Sequence, residues 1–178
     1  MSIWSGILAL LVTPAAAGEA VPPGTVTLLV DEDGKTDGPE VPAFADAIGD
    51  VFNSANFLVL PGRGPSRYRA RIDIRHELRG LVGAPAGKKA PDAQVANWGA
   101  GVQLALPTQK QDLRALIVTR MTITLTAWRD GHTLWSGSAV TAQVAGTPAN
   151  APAVVGAKLA GALVSRMPAV LDGPLSVP

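Results

Sequence analysis

Five arginines recur at alternate positions of one short stretch. Arg67, Arg69, Arg71, Arg75 and Arg79 stand two or four residues apart. In an extended strand that spacing puts all five side chains on one face. Guanidinium groups gathered in this way offer forked N–H donors to phosphate or carboxylate oxygens. Lipopolysaccharide, phospholipid headgroups and acidic proteins all present such groups. The plainer reading is a solvated sheet face whose ion pairs each contribute well under about 1 kcal/mol.

A second constellation is acidic. Asp31, Asp33 and Asp37 flank Gly34 in a DxDGxxD spacing, with Glu40 beyond. Closely spaced carboxylates around a glycine turn suit calcium, which prefers oxygen ligands. The spacing is not that of an EF-hand loop. Turn formation and acids placed ahead of a helix account for the same residues.

Other chemistries are poorly served. Both histidines, His76 and His132, are isolated. His76 falls on the apolar phase of its strand and reads as a packed histidine. His132 adjoins a turn and reads as exposed. No G-x-S-x-G elbow occurs. Gly62-Arg63-Gly64 is too short for a phosphate loop and precedes no helix. There is no cysteine, which rules out disulfides, thiolate metal sites, a cysteine nucleophile and a lipidated cysteine. The formal net charge of +1 gives no general case for nucleic acid.

The elements that position these groups follow from apolar periodicity. Thr25–Val30 reads as a strand, closed by the turn-rich Asp31–Gly38. Pro39–Asn53 reads as a helix with Phe44, Ile48, Val51 and Phe52 on one stripe and Asp37 as its cap. Phe57–Leu60 is a short strand. Strand, helix and strand in that order imply parallel pairing. From Arg67 to Arg79, charged residues alternate with Tyr68, Ala70, Ile72, Ile74, His76 and Leu78, the pattern of a half-buried strand. Residues 80–93 read as a flexible loop, and Gln94–Leu106 as a further strand. Ala115–Trp128 is a long strand. Arg129-Asp130-Gly131 then fits a three-residue hairpin loop with Gly131 left-handed. That register sets Leu125 opposite Trp135 and Ile123 opposite Gly137, and buries Trp135 beneath a helix. Ala153–Met167 reads as a second helix, with Val155, Leu159, Ala162, Leu163 and Met167 on one stripe and Gly156 and Gly161 allowing close packing on the sheet. Residues 168–178 read as an irregular tail. The expected fold is therefore α+β: a mixed, mainly antiparallel sheet with two helices packed on one face, forming a single domain over residues 18–178.

The amino terminus carries an address. Ile3–Val12 is apolar, and Pro14-Ala15-Ala16-Ala17 supplies a small-residue cleavage site. Residues 1–17 thus read as a signal peptide; the apolar run is too short to span a bilayer. Arginine outnumbers lysine ten to five, a usage associated with GC-rich bacterial genomes. Together these suggest a Gram-negative periplasm or secretion.

The stretch Leu134-Trp135-Ser136-Gly137-Ser138-Ala139 after Asp130-Gly131, followed by an alanine-rich last helix, resembles the end of a domain of unknown function common in proteobacterial envelope lipoproteins. The order of elements over residues 25–168 is similar to the amino-terminal domain of TolB and to penicillin-binding-protein activator and curli-secretion lipoproteins. The resemblance implies an envelope assembly or interaction role and carries over no catalytic residue. The expectation is an exported, non-catalytic protein that binds an envelope protein or an anionic lipid or polysaccharide through the arginine face. Nucleic acid is not expected, nor a membrane span in the mature chain. The alternatives are an exported hydrolase with an unrecognised site, or a calcium-stabilised structural module.

Overall fold

The computed structural model of the chain describes residues 21–62, 64–83 and 113–178. The signal-peptide reading of residues 1–17 and the strand expected at Gln94–Leu106 lie outside these residues.

Six strands form one mixed sheet: β1 (Thr25–Glu32), β2 (Leu58–Leu60), β3 (Tyr68–Gly83), β4 (Leu113–Ala127), β5 (Thr133–Val144) and β6 (Leu175–Ser176), in the spatial order β2-β1-β3-β4-β5-β6. The long pairings β3/β4 and β4/β5 are antiparallel. β1 runs parallel to both β2 and β3, and β6 runs parallel to β5. Helices α1 (Val41–Ser54) and α2 (Pro152–Val164) pack against each other and against the same face of the sheet. The fold is α+β with the expected mixed sheet and one helical face.

The core lies between those layers. Val26, Ala70, Ile72, Ile74, Met121, Ile123, Leu125 and Ala139 supply the sheet side, and Phe44, Ile48, Phe52, Val155, Leu159, Ala160 and Leu163 the helix side. Strand alternation sends every second residue inward, so the intervening arginines and threonines must face the other way.

Local details depart from expectation for identifiable reasons. Asp37 does not cap α1; Glu40 occupies the N-cap position without a side-chain cap bond, and proline opens the first turn. Ala160, not Ala162, completes the buried stripe of α2. Gly156 serves the helix–helix contact instead of the sheet, because a Cβ there would sit 3.0 Å from Phe44 Cδ1. A Cβ on Gly161 would meet no neighbour within 4 Å. Residues 80–83, expected in a loop, extend β3, which pairs with β4 as far as Gly83 and Leu113. Here Leu78 and Leu81 are exposed, because the strands outrun the helical layer. The tail is not wholly irregular, since Leu175 and Ser176 form β6 beside Ala139 and Val140.

Trp135 is buried, and Leu125 and Ile123 face Trp135 and Gly137 as the register requires. The route to that register is different. Ala127 N–H donates to His132 O at 3.0 Å, closing a loop over 128–131, and Leu134 forms a bulge that restores the phase. Gly131 is left-handed at φ 70°. Part of the cover over Trp135 comes from the chain after α2. Its indole N–H donates to Ala169 O at 2.9 Å, and Leu171 closes over Gly137.

Candidate functional site: the open sheet face

The face away from the helices carries the arginines. β3 presents Arg69, Arg71, Asp73, Arg75 and Glu77 there, with Arg67 in the bend just before it, because Tyr68, Ala70, Ile72 and Ile74 are drawn into the core. β4 adds Thr122, Thr124, Thr126 and Arg120 by the same alternation. Arg79 stands apart. It is the extra residue of a bulge between Leu78 and Gly80, so the strict alternation ends before it.

The five arginines divide by partner. Arg71 reaches Asp31 at 3.3 Å, Arg75 reaches Asp73 at 2.7 Å, and Arg79 reaches Glu77 at 3.0 Å. Arg67 lies over the Tyr68 ring at 5.3 Å, and Arg69 over the Trp128 ring at 4.4 Å. Neither Arg67 nor Arg69 has an acidic partner among the described residues. Arg75 stands directly across from Arg120. Like charges in that relation destabilise a strand pair, and Asp73 offsets the repulsion from one side only.

Two hollows meet at Trp128. A groove of about 320 Å³ is lined by Thr27, Leu29, Asp31, Arg69, Arg71 and Trp128. A cleft of about 870 Å³ runs between Val21–Pro22, Arg67 and the 127–134 turn. The floor is rigid, since Thr27 Oγ1 donates to Ser66 Oγ at 2.9 Å and Ser66 donates to Tyr68 O at 2.6 Å, all buried. In the cleft, His132 Nδ1 lies 2.7 Å from Asp130 Oδ1. The hydrogen bond from His132 holds the Asp130 carboxyl below its ordinary value of 3.8. Among the described residues the hydrogen bonds of His132 N–H and Nδ1 go to Asp130.

The acidic constellation resolves into a turn. Glu32 and Lys35 exchange backbone hydrogen bonds at 2.8 Å, and Asp33 and Gly34 between them have φ of 48° and 81°. These are the left-handed positions that a two-residue hairpin turn demands, hence Asp-Gly. Asp31 faces Arg71, and Asp33 accepts a hydrogen bond from His76 N–H at 3.1 Å. Asp37 is exposed ahead of α1. Only Glu40 joins a set of potential metal ligands among the described residues, and its companions are Glu32 and His76, not the three aspartates. That set was invisible to spacing because it joins three separate segments.

No family model matches the chain, and no curated protein matches it. Solved structures do. The PelC dodecamer from Paraburkholderia phytofirmans is 12% identical, covers 87% of this chain and 94% of that one, and has a TM-score of 0.48. The lipoprotein GNA1162 from Neisseria meningitidis is 13% identical over 80% of this chain and 94% of that one, with a TM-score of 0.41. A DUF330 protein from Xanthomonas campestris is 14% identical over 88% and 87%, with a TM-score of 0.43. These neighbours are bacterial proteins, one of them named a lipoprotein; they do not bear on TolB or penicillin-binding-protein activators. Among the described residues no helix is long and apolar enough to cross a membrane.

Proposed function

We propose that this chain is an exported, non-catalytic protein of the bacterial envelope that binds a phosphate- or carboxylate-bearing envelope component on its open sheet face. The signal-peptide pattern of residues 1–17 supports the location in the periplasm or beyond it. The observation that carries the binding reading is Arg69. Its guanidinium is stacked on Trp128, without an acidic partner among the described residues, at the junction of two hollows. A stacked guanidinium is held in place while its N–H edge stays available to an oxyanion. Arg67 and Arg71 flank it, and an anion lying across Arg75 and Arg120 would add to the partial offset that Asp73 gives that pair. The binding centre thus narrows from five arginines to Arg67, Arg69 and Arg71, with Trp128 as a fourth member.

Co-sedimentation with phosphatidylglycerol-containing vesicles, against neutral phosphatidylcholine vesicles, tests this. Binding to the anionic vesicles alone, weakening as salt rises, is expected for partly exposed charged contacts. Equal partition to both, or to neither, contradicts it for lipid. The same assay with soluble anionic polysaccharide separates the two sources of the anion.

A further inference from the structure

We propose that Glu32, Glu40 and His76 form a binding site for a divalent transition cation of the zinc type, on the helix-covered side of the sheet and remote from the arginine face. Three elements meet there. Glu32 ends β1, Glu40 precedes α1, and His76 lies on β3 opposite Thr119 of β4. One ligand atom from each side chain lies within 4.8 Å of the others.

The imidazole is oriented for such a role. Its Nδ1 is 3.1 Å from the Thr119 hydroxyl, and Thr119 is buried. This leaves Nε2 aimed at the carboxylates, as an outer hydrogen bond does for metal-binding histidines. Nε2 is shielded from solvent and has no hydrogen-bond partner. It is 3.3 Å from Glu32 Oε1 but off hydrogen-bonding geometry. With metal–ligand distances of about 2.0–2.2 Å, neighbouring ligands of a tetrahedral ion stand roughly 3.3–3.6 Å apart. The His76–Glu32 separation already has that value, and a Glu40 carboxylate oxygen lies within 4.8 Å of both.

A cation would answer both carboxylates and the orphaned nitrogen together. A cavity of about 130 Å³ lined by Glu40, Phe44, His76, Thr119 and Asn150 adjoins the group and gives room for a water as the remaining ligand. One imidazole with two carboxylates favours zinc, cobalt or manganese over calcium, which takes oxygen alone.

The test uses the full chain, stripped with chelator and titrated with Zn(II) by calorimetry and with Co(II) by visible absorption. One equivalent of zinc per chain and an intense low-coordinate cobalt spectrum are expected. Glu40→Gln, a surface change that leaves the core untouched, should raise the zinc Kd at least ten-fold, and so should His76→Ala. Thr119→Val should raise it by about ten-fold through loss of imidazole orientation. If His76→Ala does not fold, Glu40→Gln and Thr119→Val decide the matter. No uptake, uptake that survives Glu40→Gln and Thr119→Val unchanged, or tighter binding of calcium than of zinc would overturn the site.

Discussion

The guanidinium carbon of Arg69 rests 4.4 Å from the centroid of the Trp128 ring, where β4 leaves the sheet. The contact links the arginine row to the hairpin turn, and it fixes one cation of the row by stacking instead of by an ion pair. An exposed cation–π contact contributes about 0.5–1 kcal/mol. Trp128→Ala should therefore weaken binding to anionic vesicles about two- to five-fold at low salt, with little change in melting temperature. An unchanged affinity would mean that the ring does not set the guanidinium in place.

Trp135 lies on the other face, beside Gly137. A Cβ on Gly137 would come within 2.6 Å of the indole and 2.9 Å of Leu171. Trp135→Ala should cost about 3–5 kcal/mol in urea denaturation. Gly137→Ala should cost about 1–3 kcal/mol, because the ring has no slack to yield. Losses below about 1 kcal/mol for the tryptophan would place it outside the core.

How much of this was legible in the sequence depends on distance along the chain. The β3 alternation and the facing of Leu125 and Trp135 are short-range patterns, and both stand in the structure. The means was hidden: a bulge at Leu134 restores a phase that the longer loop would have lost, and a bulge adds a residue without marking the pattern. Helix ends, the choice of Ala160 over Ala162, and the packing of Gly156 against Phe44 depend on where the second helix lies, which periodicity does not state. β6 is two residues long, too short for any period. At the site, the arginine row was readable, while the sharing of partners was not. Arg69 meets Trp128 from the turn after β4, and His76 lies near Glu32 and Glu40 from the two sides of the Asp33-Gly34 turn. The DxDGxxD spacing is ambiguous on its own, because the residues that suit a metal also suit a left-handed turn.

Ile72 marks the boundary between the two faces. It is fully buried beneath the helices, while Arg71 beside it is exposed. Ile72→Ala should lower stability by about 2–5 kcal/mol and leave vesicle affinity unchanged under conditions where the variant remains folded. Loss of binding in a folded Ile72→Ala protein would show that the face responds to packing and not to charge.

Asp130 offers a local check on the hairpin. Its carboxyl, hydrogen-bonded by His132, should titrate below its ordinary 3.8 when followed by carbonyl NMR. A depressed carboxyl pKa means that stability from this pair is present above 3.8 and is lost as the pH falls through the lowered value. His132→Ala should return the midpoint toward 3.8. A midpoint that does not move would mean that the turn geometry, not the imidazole, holds the carboxylate.

The central claim is that the arginines serve a ligand, and Arg69→Ala/Arg71→Ala tests it most directly. Vesicle affinity and thermal stability should be measured on the same protein at low and at physiological salt. Surface ion pairs such as Arg71–Asp31 contribute about 0–1 kcal/mol. The melting temperature should therefore stay within a few degrees of the parent. Binding to phosphatidylglycerol vesicles should fall sharply, and the remaining affinity should depend less steeply on salt. A destabilised protein whose binding is unaltered would contradict the account and make the face a structural one.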